Sequence, residues 1–379
     1  MKHIKISLTV LFFSLSLASY AQPLIQNKKW RLIWEDNFNT NDNLDAKWDF
    51  QNSPSRTLEC SRWRENASVE NGVLNLENKK ENRGGQKFTS ASMWTKSKFQ
   101  YGYFECRYRY AEARGTNNSF WLMPKNDSSK FEIDINEGHY PNEIATNTHR
   151  SIPLPKFAAS RCYRAGADVK PQIKIELKKP VLTNKVRLIS LDPYHVSIAE
   201  LNIYSGKVNV ALKGKAQGNS TLRAGFESSN AIDGKLGTHW ASAEAPPDTL
   251  VITLDKPYRV DSLQIHSGYY AGDSRNVLYD YTIQSLVNDK WVNLSTGRYN
   301  KAIDLSKEFH TYGLLWNQKE LIWYFDGKEI RRELNTFCNG EANIWLSSAI
   351  AGWAGPVSDK IDGTAMKVDY VRVYEPVNE

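Results

Sequence analysis

The chain is poor in features that mark several functional classes. Its 379 residues include only four cysteines, Cys60, Cys106, Cys162 and Cys338, whose spacing matches no zinc site and leaves three disulfide pairings open. There is no Asp/Asn-Gly loop of EF-hand spacing. Basic residues do not cluster, although the net charge is +7, which argues against nucleic-acid binding. We therefore predict that the protein needs no metal and no other cofactor.

Long apolar runs are also scarce. Lys2 and Lys5 precede an apolar stretch from Ile6 to Ala18, and Ser19-Tyr20-Ala21 supplies a small-x-small cleavage site. The stretch is shorter than the roughly 18 residues that span a bilayer, and no cysteine follows it to carry a lipid. We predict a signal peptide over residues 1–21 and an exported protein, secreted or periplasmic, that does not bind the membrane and acts as a monomer. Loss of the two lysines lowers the net charge from +7 to +5.

An unusual concentration of acids lies in the segment Glu132-Ile133-Asp134-Ile135-Asn136-Glu137. Its apolar residues predict a strand, in which alternate side chains share a face, so that Glu132 and Asp134 project together. Strict alternation sends Glu137 to the opposite face. One extra residue at Ile135-Asn136, forming a β-bulge, returns it to the side of the other two acids.

Two glutamates flanking an aspartate suit glycoside hydrolysis. Retaining enzymes use a nucleophilic carboxylate and an acid/base carboxyl about 5–5.5 Å apart, and a third acid between them tunes their protonation. The alternative for such a motif is a solvated edge strand or a calcium loop. The apolar residues Phe131, Ile133 and Ile135 argue against that alternative.

Further motifs make the resemblance to a known family specific. They are Tyr101-Gly102-Tyr103-Phe104-Glu105, Phe120-Trp121-Leu122-Met123-Pro124, Phe309-His310-Thr311-Tyr312, Trp323-Tyr324-Phe325-Asp326-Gly327 and Val368-Asp369-Tyr370-Val371-Arg372-Val373-Tyr374. Together with the acidic segment, they resemble glycoside hydrolase family 16. The resemblance implies an all-β jelly roll whose concave face binds a glycan, with Glu132 as nucleophile, Asp134 as assisting carboxylate and Glu137 as acid/base.

In family 16 enzymes a few tens of residues separate the strand after the acidic segment from the Phe-His-Thr motif, whereas about 160 residues intervene here. We therefore predict a discontinuous catalytic domain over residues 22–164 and 300–379 and an inserted β-sandwich over residues 165–299. Within the insert, Asn230-Ala231-Ile232-Asp233-Gly234 and Thr238-His239-Trp240 resemble the discoidin, or factor 5/8 type C, module. The order of its strands indicates a circular permutation. Either the module binds carbohydrate, with Tyr194, Tyr269 and Tyr270 as stacking candidates, or it only shapes one end of the cleft.

Five further side chains are predicted to bind substrate. His149 shares a face with Asn147 on the next strand, from which it could reach the acid/base or the sugar. Trp63, Trp121 and Trp353 offer flat rings to pyranose faces. Arg64, beside Trp63, offers a guanidinium suited to sulfate or carboxylate.

The run Gly115-Thr116-Asn117-Asn118-Ser119-Phe120-Trp121 lacks the Trp-Pro pair of the family's β-1,3-glucanases. This departure favours a marine red-algal galactan of the agarose, porphyran or carrageenan type as the polysaccharide partner. The alternatives are an endo-β-1,3-glucanase, a transglycosylase that uses the same intermediate, and a glycan-binding protein without catalysis.

Overall fold

A computed structural model describes the chain over residues 25–26, 28–41, 44–55, 57–125, 130–152, 155–166, 172–192, 196–243, 247–268, 278, 280–297 and 303–377. The predicted signal peptide and the candidates Tyr194, Tyr269 and Tyr270 lie outside these residues. Within them, no helix combines the length and the apolar character that crossing a bilayer requires.

Strands dominate the described residues. The first group comprises β1 (Trp30–Asp36), β2 (Trp48–Phe50), β3 (Cys60–Arg62), β4 (Ala67–Glu70), β5 (Val73–Glu77), β6 (Phe88–Ser90), β7 (Ser92–Thr95), β8 (Gly102–Arg109), β9 (Thr116–Met123), β10 (Lys130–His139), β11 (Glu143–Ile152) and β12 (Phe157–Arg164). The second group comprises β13 (Gln172–Ser190), β14 (Ser197–Ser205), β15 (Val208–Asn209), β16 (Lys215–Gly218), β17 (Trp240–Ala241), β18 (Asp248–Ser267), β19 (Tyr281–Val287) and β20 (Lys290–Gly297). The third group comprises β21 (His310–Trp316), β22 (Glu320–Phe325), β23 (Lys328–Leu334), β24 (Asn343–Ile350) and β25 (Ala365–Pro376).

Helices are few and short in the described residues. One α-helix, α1, covers Leu44–Lys47, and 3-10 turns cover Arg64–Asn66, Val210–Lys213, Ser228–Ile232, Gly352–Ala354 and Asp359–Ile361.

Two antiparallel sheets carry the strands of the first and third groups. The carboxylate sheet, so named because it contains β10, has the order β12-β11-β10-β9-β24-β7-β2. The opposing sheet has the order β23-β22-β21-β8-β25-β5-β4, with β1 paired to β25. β3 and β6 form a separate parallel pair.

The two sheets enclose one apolar core. Phe131, Ile133 and Ile135 of β10 are buried in it, beside Phe104 and Trp316 of the opposing sheet. The alternation predicted for β10 therefore holds over its first half, with apolar residues facing the core and acids facing away. The all-β jelly-roll class is confirmed.

Residues 172–297 form a third sheet with a core of its own. Its order is β15-β14-β18-β13-β19-β20, and β16 and β17 attach to β18 and β14. Residues 186–189, 249–254 and 281–286 lie in β13, β18 and β19. Trp240 is fully buried in this core, and its indole nitrogen donates to the Ser220 carbonyl at 2.9 Å.

The four cysteines all lie in described ranges, and no disulfide joins any two of them. Burial raises the pKa of the Cys106 thiol well above its ordinary value and that of Cys338 as well. Since a neutral thiol is a poor nucleophile, both residues act as small apolar parts of the core.

Candidate active site

The third carboxylate of β10 reaches the side of the first two through an irregularity in strand pairing. Asp134 pairs with Asn147 of β11, and the next pair joins Glu137 to Ala145. Three residue steps along β10 therefore match two along β11, which is the extra residue of a β-bulge. The pairing of β10 with β9 shifts at the same place, between Asp134 and Asn136. The bulge lies where the sequence predicts it.

Core contacts explain why the bulge forms at Ile135 and Asn136. Ile135 is 2% exposed and packs in the core. The Asn136 side chain is also buried, and its amide nitrogen donates to the hydroxyls of Tyr108 at 2.6 Å and Tyr110 at 2.7 Å. Because two consecutive side chains are held on the core side, the next one, Glu137, falls on the opposite side with Glu132.

Glu132, Asp134 and Glu137 line one open cleft of about 290 Å³. The other described lining residues are Ser55, Thr57, Leu58, Arg62, Asn117, Ser119, Trp121, Ser347, Ala349 and Trp353. Most of them are polar, and two tryptophans are included, as is usual for a surface that binds sugars through hydrogen bonds and ring stacking.

Glu132 and Asp134 form a tightly coupled acidic pair. Burial and the neighbouring Asp134 carboxylate raise the pKa of Glu132 to about 8, and burial raises the pKa of Asp134 well above its ordinary value. Both carboxyl groups therefore hold a proton more tightly than an ordinary carboxyl group does. Asp134 is the more buried of the two, because its side chain is 4% exposed whereas that of Glu132 is 33% exposed.

His149 lies against this pair. Its Nε2 atom is 3.4 Å from Asp134 Oδ2 and 3.9 Å from Glu132 Oε1. The register of antiparallel β11 pairs His149 with Glu132, and contact of His149 with the acid/base or the sugar stays a prediction. Ligand atoms of these three residues lie within 4.8 Å of one another, close enough to hold a metal ion.

Glu137 is held by two amides. Asn117 Nδ2 donates to its Oε1 at 2.9 Å and Asn147 Nδ2 donates to its Oε2 at 2.7 Å. The Ser160 hydroxyl in turn donates to Asn147 Oδ1. Both carboxylate oxygens of Glu137 therefore have fixed partners from the two strands on either side, which orients the side chain for proton transfer.

Two of the predicted tryptophans line the cleft. Trp121 stacks on Trp345 with ring centroids 4.7 Å apart, and its indole nitrogen donates to the Ser347 hydroxyl at 3.1 Å. Trp353 is 54% exposed, and its ring meets the edge of His139 at 5.4 Å. Trp353 offers an open ring face to a ligand, whereas one face of Trp121 is already covered.

The structure places Trp63 and Arg64 away from the lining of the cleft. The Arg83 guanidinium lies 3.9 Å over the Trp63 ring, so that this face is closed to a sugar. Arg64 binds both carboxylate oxygens of Asp45, at 2.8 and 2.7 Å. Neither residue lines the cleft, and of this segment Arg62 is the side chain that does.

Sequence reasoning missed Asn117, Ser119 and the role of Asn147. A usable signal was present, since Asn117, Ser119 and Trp121 alternate along β9 and pair with His139, Glu137 and Asp134 of β10. Alternation from Trp121 back to Asn117 places all three on the face of the acids.

Comparison with known proteins agrees with this geometry. The family model described as glycosyl hydrolases family 16 matches residues 55–153 and 282–372. The second matched segment begins within β19. In the structure, β19 packs in the core of the third sheet, and the two sheets that form the cleft domain resume at β21.

Individual relatives match less of the chain. An endo-1,3-1,4-beta-glycanase, EglC, from Rhizobium meliloti is 43% identical over 68 residues, which are 17% of this chain and 15% of that protein. The chain thus spans about 15% of the length of the first curated relatives that it matches.

Solved structures share the fold at low identity. The laminarinase catalytic domain from Thermotoga maritima has a TM-score of 0.50 at 16% identity, covering 93% of this chain and 100% of that domain. Porphyranase B from Zobellia galactanivorans has a TM-score of 0.50 at 14% identity, covering 94% of this chain and 97% of that one. The family match spans half of the chain and contains the bulged acidic strand, and this chain therefore belongs to glycosyl hydrolases family 16.

Proposed function

We propose that the protein is an exported, retaining endo-β-glycosidase that hydrolyses a polysaccharide. The observation that carries the proposal is the convergence of Glu132, Asp134 and Glu137 on one cleft. Two carboxyl groups in such a cleft are the minimum equipment for hydrolysis of a glycosidic bond. An inactive glycan-binding protein has no need of the coupled acids, whose burial costs stability.

The reaction proceeds in two steps. Glu132 attacks the anomeric carbon while the carboxyl of Glu137 gives its proton to the departing glycosidic oxygen, which leaves as an alcohol. In the second step, the Glu137 carboxylate takes a proton from water, and the water oxygen attacks the anomeric carbon and releases Glu132. Two inversions give net retention.

The acidic pair prepares Glu132 for the first step. Asp134 lies on the same face of β10 as Glu132, and its strongly raised pKa favours the neutral form, which reduces the repulsion between the two groups. The charge on Glu132 then disappears as its bond to the sugar forms. A buried, weakly solvated carboxylate is a stronger nucleophile than a hydrated one, because no water shell must be removed.

The substrate we propose is a red-algal galactan of the agarose, porphyran or carrageenan type. The absence of the Trp-Pro pair before Phe120 and the fold shared with porphyranase B support it. A β-1,3-glucan is the second candidate, and it is equally supported by the fold shared with the laminarinase of Thermotoga maritima and by identity to EglC.

We also propose that residues 165–299 form an inserted, circularly permuted discoidin-like module. Two observations support an insertion: β13–β20 pair only among themselves in the described residues, and they enclose a separate core. Sugar binding by this module and export through the segment 1–21 complete the proposal.

A panel of polysaccharides tests the reaction and the substrate together. Purified protein is incubated with agarose, porphyran, carrageenan, laminarin and mixed-linkage glucan, and reducing ends, product sizes and the first-formed anomer are measured. We expect release of oligosaccharides with the β anomer formed first, from a galactan. Cleavage of laminarin alone would show that the substrate is a β-1,3-glucan and not a galactan. An α anomer formed first would overturn the retaining mechanism. Products longer than the substrate would indicate transglycosylation.

A further inference from the structure

Two arginines flank Trp63 and have opposite environments. Arg64 forms a two-pronged ion pair with Asp45, and its Nη1 donates to the Ala67 carbonyl at 2.6 Å. Arg62 lines the cleft and has no carboxylate partner among the described residues. One guanidinium is therefore neutralised by the protein, and the other is not.

The hydrogen bonds of Arg62 are also incomplete. Its Nη1 donates to Gln51 Oε1 at 3.4 Å, which is long for such a bond. Its Nε is buried and has no hydrogen-bond partner. Burial lowers the pKa of Arg62, yet an arginine stays protonated in proteins. A partly buried guanidinium with unsatisfied hydrogen-bond donors destabilises the folded protein. We therefore expect a partner from outside the chain to accept these hydrogen bonds.

The acids of the cleft do not supply that partner. The charged groups that shift the pKa of Glu132 are Asp134, His149 and Glu137. Arg62 is not among them, although it is the one Arg or Lys in the described lining. Arg62 therefore lines the cleft without contributing to the charge environment of Glu132.

The cleft lining offers further donors. Ser55 and Thr57 belong to the same lining as Arg62, and their hydroxyls can donate to an anion. A cleft that combines a guanidinium with hydroxyl donors matches the oxygens of a sulfate ester or a carboxylate better than a neutral sugar ring.

We propose that Arg62 binds an anionic substituent, a sulfate ester or a carboxylate, on a galactan chain lying in the cleft. The inference rests on the proposed glycosidase function and adds to it a charge requirement in the substrate. Arg62 is then a residue that determines specificity, separate from the groups that break the bond.

Binding without turnover tests this inference. Glu132→Gln protein is run in native gels that contain porphyran, the same polymer after removal of its sulfate, or agarose before and after oxidation of its C6 positions to carboxylates. We expect charged polymers to retard the protein about 10- to 100-fold more strongly than their neutral counterparts, with the difference shrinking as salt rises. The preferred charged polymer tells sulfate from carboxylate.

Variants at the two arginines provide the matched comparison. Adding Arg62→Gln should remove the preference for charged polymers and leave binding to neutral ones within about twofold. Arg64→Gln is the control, since Arg64 lies outside the cleft lining, and it should keep the preference. Arg62→Lys keeps the positive charge but lacks the paired donors of a guanidinium, and it should show an intermediate preference for charged polymers. Circular dichroism checks that each variant folds, and Arg62→Lys serves alone if Arg62→Gln does not.

Three results would overturn the inference. They are equal losses on charged and neutral polymers, no retardation by any charged polymer, and loss of preference in Arg64→Gln. Hydrolysis of neutral polymers by the wild-type protein is measured separately, so that the glycosidase proposal can stand when the charge requirement falls.

Discussion

The two halves of β10 present their acids in contrasting ways. On one side of the bulge, burial raises the pKa of Glu132 and Asp134, and a neighbouring carboxylate adds to each effect, Asp134 for Glu132 and Glu137 for Asp134. On the other side, each carboxylate oxygen of Glu137 accepts a hydrogen bond from an asparagine. The first half of β10 holds protons tightly, and the second half holds a side chain in a fixed orientation.

The difference shows how one strand can supply two chemical roles. A nucleophile needs little solvation and a charge that it can give up, which crowding provides. An acid/base needs a constant position because it transfers a proton in each step. The bulge separates the two environments, since it sends two side chains into the core between Asp134 and Glu137.

The largest expected effect is the loss of turnover when either Glu132 or Glu137 is replaced, and azide rescue distinguishes their roles. Glu132→Ala and Glu137→Ala should each lower turnover of polysaccharide by about 10³-fold or more. With an activated aryl glycoside, azide should rescue both variants with opposite stereochemistry. Azide replaces the nucleophile in Glu132→Ala and gives an α-glycosyl azide, whereas in Glu137→Ala it attacks the glycosyl-enzyme and gives the β product. The anomeric configuration of each glycosyl azide is measured by nuclear magnetic resonance.

Thermal unfolding of both variants controls for misfolding. An α-azide from Glu137→Ala and a β-azide from Glu132→Ala would exchange the two roles and break the comparison at its base.

A smaller effect is expected at Asp134. Asp134→Asn keeps the shape of the side chain and removes the charge that raises the pKa of Glu132. The acidic limb of the profile of kcat/KM against pH should therefore move to lower pH, while kcat falls about 10²-fold because an amide cannot take up or release a proton as the charge on Glu132 changes. His149→Gln is the comparison variant, since it removes a charge that lowers the same pKa and should move the limb to higher pH. Limbs that do not move in either variant would show that the pair does not titrate together.

The asparagine pair that holds Glu137 should matter less. Asn147→Ala removes one donor to a carboxylate, an interaction of about 1.5–3 kcal/mol, and we expect kcat to fall about tenfold or somewhat more with KM nearly unchanged. Ser160→Ala removes only the hydroxyl that donates to Asn147 and should cost about two- to threefold. If Asn147→Ala raised KM and left kcat alone, the residue would bind substrate and would not orient Glu137.

The sequence predicted the acidic strand well because its signal is local. Two buried isoleucines alternating with two acids specify a strand with one apolar face, and a single extra residue is then the shortest way to bring Glu137 back to the acidic face. Gly138 adds a second local constraint, since a Cβ there would lie 2.3 Å from the Tyr110 ring.

Residues whose positions depend on distant partners were predicted less well. Arg62 and Arg64 are two residues apart in the sequence, yet Arg64 is paired with Asp45 whereas Arg62 lines the cleft. His149 was expected to reach the acid/base or the sugar, and the register, which depends on the turn after β10, pairs it with Glu132. Alternation tells which face a side chain occupies, and pairing decides which neighbour it meets.

The smallest expected effect is a change in melting temperature, which differs between the two halves of β10. The pKa of Glu132 is about 8 in the folded protein, against an ordinary value of 4.5. A raised carboxyl pKa favours folding fully below pH 4.5, and this contribution is lost as pH rises through about 8. Glu132→Gln cannot ionise, so its melting temperature should match that of the wild type near pH 4.5 and exceed it by a few degrees at pH 9.

Glu137→Gln should behave in the opposite way in the same calorimetric series. Its carboxylate accepts two amide hydrogen bonds, and a glutamine presents a donor to one of those two donors. The variant should therefore melt below the wild type at neutral pH, because a buried amide is left without an acceptor. A stabilisation by Glu132→Gln that is the same at every pH would mean that ionisation of Glu132 does not distinguish the first half of β10 from the second.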